Sequence, residues 1–122
     1  MMTWEEMSRQ SFWAAQELRR KGLWRSCISR SYYAAYAAIT ATLPPEKIPG
    51  RWMNPTHSSL PKLISNHGKL SKASRSKINR IIRILRMLRE DSDYRPHTSV
   101  GKSEAILALV NASEILGDLE IL

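Results

Sequence analysis

The stretch "RMLREDSDYRPHTSV", residues 86–100, crowds Arg89, Glu90, Asp91, Asp93, Tyr94, Arg95 and His97 into nine positions. These residue types support acid–base chemistry at a phosphodiester without a metal. Such a reaction needs a general base near the attacking hydroxyl, a cation for the charge that develops on the phosphoryl oxygens, and a proton donor for the leaving oxygen. His97, as an imidazole, can fill the acid or the base role. Arg89 or Arg95 can hold a phosphate through paired N–H donors. The same residues also support a structural reading, in which Arg89 pairs with Asp93, Tyr94 packs and His97 stands in solvent. At about 100° per residue, Arg89 projects close to Ile78, Ile82 and Leu85. A guanidinium on an apolar face must find partners, because an unpaired buried charge is very costly. The inward direction of Arg89 favours the structural reading, with Asp91, Asp93 and the Tyr94 hydroxyl as partners just past a helix end.

Other candidates lie elsewhere. Arg30 and Tyr33 are three positions apart, so they are neighbours on a helix surface. They can stack on a base and contact a phosphate, or they can anchor Asp93 or a second copy of the chain. Tyr32 falls on the core side. His57 opens a short helical segment and is expected to hydrogen-bond to its own loop; with Arg51 it can widen one basic pocket. Lys72, Arg75, Arg80, Arg83 and Arg86 give one helix a basic face. That face is the best electrostatic candidate for RNA, and its plain alternative is a solvated helix surface. Three histidines and one cysteine show no metal-ligand spacing, so no metal and no cofactor is expected. No glycine-rich phosphate loop is present.

Helices must position these groups. Thr3 and Glu6 have capping-box spacing for a first helix over 3–21, which Gly22 stops. Trp4, Met7, Phe12 or Ala15, and Leu18 can line its inner face. A second helix is predicted over 23–43. Ile28, Tyr32, Ala35, Tyr36, Ile39 and Leu43 form one stripe of it, and Ala34, Ala38 and Ala41 a second, small one. A helix apolar on two faces is central in its fold. A short third helix is predicted over 57–66, ending at Gly68. A fourth is predicted over 71–90, with Ile78, Ile81, Ile82, Leu85 and Leu88 inward. A fifth is predicted over 102–117, with Ile106, Leu109, Val110 and Leu116 inward. Two loops separate these elements, a proline-rich one over 44–56 and the polar one over 91–100. No strand pattern appears, so the fold class is all-α, an up-and-down bundle of four to five helices.

The 122 residues suit one domain, residues 1–122, with a real core. The chain is 43% hydrophobic and 25% charged, which excludes a disordered chain. The net charge of +8 points to nucleic acid, acidic lipid or an acidic protein as partner, or to solubility alone. "MMTWEEMSRQ" carries acids and no apolar run, so it does not read as a signal peptide. The most apolar stretch, "YYAAYAAITATL", is too short and too weakly apolar for a bilayer. A lone Cys27 suits a reducing cytoplasm.

Three segments carry a resemblance. "SRSYYAAYAAITATL", 29–43, resembles the tyrosine-rich second helix of HEPN domains, the higher-eukaryote and prokaryote nucleotide-binding family. "RMLREDSDYRP", 86–96, resembles the arginine and Ala-Asp-Tyr-like segment that closes the penultimate long helix in one branch, with Ser92-Asp93-Tyr94 in that place. "NPTHSSLPKLI", 54–64, resembles the histidine that opens the short third helix. The resemblance spans about 4–119. It implies a four- to five-helix bundle that forms homodimers and binds nucleotide or RNA. It also implies a partner such as a minimal nucleotidyltransferase. Many family members are metal-independent ribonucleases, some of them toxins of toxin–antitoxin pairs. Those carry an arginine and then a histidine, with four to six residues between them, near the start of the last long helix. Here seven residues separate Arg89 from His97, and one separates Arg95 from His97. The expected role is therefore a nucleotide- or RNA-binding module, with the ribonuclease toxin and a non-catalytic interaction protein as alternatives.

Overall fold

The computed structural model describes residues 1–48, 54–67 (the His67 side chain excepted) and 69–122. Arg51 and Gly68, and with them the middle of the proline-rich loop, lie outside the described residues. The order is α1 (Trp4–Arg20), α2 (Trp24–Thr42), a 3-10 turn (Pro45–Lys47), α3 (Leu60–His67), α4 (Lys72–Tyr94) and α5 (Lys102–Asp118), with no strand among the described residues. This is the expected all-α bundle.

α1 begins where its cap dictates. Thr3 Oγ1 accepts from the Glu6 N–H at 3.1 Å, and the Thr3 N–H donates to Glu6 Oε2 at 3.1 Å. It ends at Gly22, whose φ of 72° is a left-handed turn that a side chain would strain. Ser8, Phe12 and Ala15 form its buried face; Met7 is exposed, contrary to expectation. The buried Ser8 hydroxyl explains the shift, since it donates to the Ala34 carbonyl of α2 at 2.7 Å and sets which face turns inward.

α2 is the central element. It is buried along both predicted stripes, from Ile28, Tyr32 and Ile39 to Ala34 and Ala38. α1, α4 and α5 all pack on it. The alanines let neighbouring backbones approach. The same logic corrects the fifth helix: α5 meets the core through Ala105, Ala108, Ala112, Ile115 and Leu116. Ile106 and Leu109 are only half-buried, and Val110 is 57% exposed. Small residues fill the first turns of the tight side of α5, and Ile115 with Leu116, the latter as expected, fills its end. Lys77 ties α4 to α5 by pairing with Glu114 at 2.8 Å and Asp118 at 3.0 Å.

α3 starts at Leu60, and His57 sits in the turn before it. Leu60 and Ile64 are fully buried. Asn79 of α4 holds α3 by donating to the Pro61 carbonyl at 2.7 Å and to Ser65 Oγ at 2.8 Å.

α4 runs one turn past the predicted end. Asp91 and Asp93 therefore lie inside the helix, not beyond it. Charge pairs four residues apart support that turn: Arg86–Glu90 at 3.0 Å, Arg89–Asp93 at 3.7 Å and Asp91–Arg95 at 2.8 Å. Pro96 then stops the helix, because it bars the α conformation at Arg95. The last carbonyls of a helix lack intrahelical partners. Arg25, in the first turn of α2, supplies them. Its Nη1 donates to the carbonyls of Asp91 at 2.9 Å, Ser92 at 3.1 Å and Arg95 at 3.2 Å. Its Nη2 donates to Thr98 at 2.6 Å and Pro96 at 3.4 Å. The cation also opposes the negative end of the helix dipole.

Among the described residues no helix is long and apolar enough to cross a membrane. Arg25→Ala removes the whole clamp and is expected to lower unfolding free energy by about 2 kcal/mol. Thermal denaturation should show a Tm drop of about 6–10 °C. Arg25→Lys cannot span the same carbonyls and should recover only part of that loss.

Candidate functional site

Tyr32, Tyr33 and Tyr36 project from adjoining faces of α2 and meet His57. The His57 ring centroid lies 5.4 Å from Tyr32, 5.8 Å from Tyr33 and 5.3 Å from Tyr36. The Tyr32 hydroxyl is 2.6 Å from His57 Nδ1. Tyr36 donates to the Pro55 carbonyl and accepts from Asn54 Nδ2 at 3.2 Å. These bonds fasten the segment before α3 onto α2. Burial pushes the Tyr32 phenol well above its ordinary range, so it keeps its proton. Burial also holds His57 below its ordinary value of 6.5, and the Arg89 and Arg86 charges lower it further. Two neutral groups at 2.6 Å are best joined with Tyr32 donating to Nδ1, which places the imidazole proton on Nε2.

Arg89 enters this cluster from α4 and is 5% exposed. Its Cζ lies 5.1 Å from the Tyr32 ring, 5.7 Å from Tyr33 and 5.5 Å from Tyr94. Its Nη1 donates to the Tyr33 hydroxyl at 3.4 Å and stands 3.7 Å from Asp93 Oδ2. Burial opposes its charge, but the surrounding Tyr33, Tyr94 and Tyr32 hydroxyls outweigh that and hold its pKa up. Its buried Nε has no hydrogen-bond partner among the described residues. Asp93 also accepts from Ser29 Oγ at 3.2 Å, and its side chain is 27% exposed.

The structure thus brings Arg89, Asp93, Tyr94, Tyr33 and His57 to one place. Arg30 joins from α2, with its Cζ 4.8 Å from the Tyr33 ring centroid. Tyr94 lies over Arg89 but is 69% exposed. Arg80 and Arg83 stand exposed on the outer face of α4. Arg83, Arg86, Met87 and Glu90 line a shallow depression there. The charges of Arg86 and Glu90 bear on His57 in opposite senses, the arginine lowering its pKa and the glutamate raising it. Arg95 and His97 are not among the partners of Arg89. Arg95 pairs with Asp91 at 2.8 Å and Glu90 at 3.7 Å. His97 is exposed and makes no hydrogen bond among the described residues.

Two features escape a reading of the sequence. Arg25 looks like any surface arginine, and its backbone acceptors leave no trace in residue type. The Tyr32–His57 bond had a signal, because a tyrosine on a core stripe needs a partner for its hydroxyl. Among the described residues no cluster of three or more His, Cys, Asp or Glu has the arrangement of a metal site.

Arg89→Ala is expected to cost about 2 kcal/mol of stability, through lost cation–π contact and lost packing of its stem. Arg89→Met should restore the packing share, which urea denaturation can separate. Because folding depresses the pKa of His57, its contribution to stability is full above about 6.5. It is lost as pH falls from there through the folded value. The Tm of the wild type should therefore fall between pH 7 and pH 5, and His57→Gln should flatten that fall. An equal slope in both proteins would show that His57 is not linked to folding.

Comparison with curated proteins returned no match. The family model described as "HEPN domain" matches residues 1–122, and the chain therefore belongs to the HEPN domain family.

Proposed function

We propose that this HEPN-type module binds nucleotide or RNA phosphate on the surface formed by Arg30, Tyr33, His57, Arg83 and Arg86. It acts as a cytoplasmic homodimer together with a partner protein such as a minimal nucleotidyltransferase. The observation that carries this reading is the convergence of two guanidinium groups, Arg30 and Arg89, on the Tyr33 ring, at 4.8 and 5.7 Å, beside His57. Membership of the family supports the nucleotide- or RNA-related role. Arg30 and Tyr33 form a cation–ring pair on which a base can stack. Neutral His57 offers an Nε2–H to a phosphate oxygen. Arg83 and Arg86 meet the backbone from the outer face of α4. Arg89 works from beneath, holding Tyr33 and keeping the potential positive, while Asp93 and Tyr94 fix its place.

A labelled single-stranded RNA and ATP, each titrated by fluorescence anisotropy, test this. The affinity for RNA should fall with salt. Arg83→Ala with Arg86→Ala should weaken it about tenfold or more and make the log Kd against log salt plot shallower by about 1.4. Unchanged slopes would remove these arginines from the interface. Incubation of RNA in EDTA with wild type and His97→Ala separates binding from catalysis. Cleavage lost in a folded His97→Ala protein would replace the binding role with that of a ribonuclease using Arg89 or Arg95 with His97.

A further inference from the structure

α1 and α5 each pack on α2 but meet one another little. Between them runs an open groove of about 510 Å³. Phe12 of α1 and Ile106, Leu109 and Val110 of α5 line it, and Arg19 and Arg20 stand at one end. Val110 is 57% exposed. Trp13 lies seven residues before Arg20, hence on the same flank of α1, and is 62% exposed. The groove shares no lining residue with the Tyr–Arg–His cluster. From Phe12 to Arg19 it spans roughly 10 Å at 1.5 Å per residue, the length of two helical turns.

We propose that this groove docks an acidic amphipathic helix of a partner protein. The partner's apolar residues, spaced i, i+3/i+4 and i+7, lie on Phe12, Ile106, Leu109 and Val110, as helices do in apolar grooves. Its carboxylates meet Arg19 and Arg20. The charges select the partner. Arg20 shares Glu17 at 3.1 Å, and Arg19 has no carboxylate within pairing distance among the described residues. A second copy of this chain would bring another +8 to a basic rim. Nucleic acid would answer the arginines but has no aliphatic groups for the apolar floor.

The test uses two fluorescein-labelled helical peptides of eighteen residues or so with one leucine stripe, flanked by glutamates in one and lysines in the other, titrated with the full chain. The glutamate peptide should bind at least tenfold more tightly. Val110→Asp should abolish the difference by weakening the glutamate peptide at least tenfold, with far-ultraviolet circular dichroism confirming the fold. Arg19→Glu with Arg20→Glu, which leaves the apolar floor intact, should reverse the preference. No binding of either peptide, or equal binding of both, overturns the proposal. So does a concentration-dependent rise in mass of the free protein that Val110→Asp removes, because the occupant would then be a second copy.

Discussion

Where α2 and α4 cross, a guanidinium must be kept charged almost without water. Arg89 is 5% exposed, and its nearest carboxylate oxygen stands at 3.7 Å, too far for a strong charge-assisted hydrogen bond. The rings of Tyr32, Tyr33 and Tyr94 make up the deficit by turning their electron-rich faces and hydroxyls to it. That demand fixes the rotation of α4 about its axis, because turning it would leave the charge in an apolar core. It fixes α2 as well, since Tyr32 and Tyr33 can face Arg89 in only one register. Tyr32 then has its hydroxyl in place for His57, and the segment before α3 follows.

Arg25 and Arg89 hold the same junction by opposite means. Arg89 is held by ring faces. Arg25 is held by five backbone carbonyls of residues 91–98. The first sets which face of α4 turns inward; the second sets where the chain goes after α4 ends. Together they carry the turn with Arg95 and His97 away from the ring cluster, although these residues adjoin Arg89 in sequence.

The helical architecture and the inward direction of Arg89 were legible because both depend on periodicity, which residue type records. The capping box of α1 was legible for the same reason: Thr3 and Glu6 are three residues apart and interact only with each other's backbone. The end of α4 was not. A dense polar cluster reads as a loop, yet its acids and bases sit four apart and stabilise one more turn. The inner face of α5 is legible only at Leu116, because side-chain size is not the sign of burial there. Against a close neighbour the limiting quantity is the distance between backbones, and Ala105, Ala108 and Ala112 satisfy it. The site was half legible. Its members could be named singly, but the meeting of His57 with Tyr32 depends on tertiary placement.

The pairing of charges near this junction decides what remains for a ligand. Glu90, Asp91 and Asp93 are each engaged, with Arg86, Arg95 and Arg89 respectively. Arg30, Arg80 and Arg83 have no carboxylate within pairing distance among the described residues. The acids of α4 thus pair with Arg86, Arg89 and Arg95, while Arg80 and Arg83 stand unpaired along its outer face and Arg30 beside Tyr33. The three unpaired arginines are among the cations that leave the chain a net charge of +8. A phosphate drawn to that outer face meets the exposed guanidinium groups of Arg80 and Arg83. The buried Arg89 stays where the tyrosines hold it and adds potential without having to move.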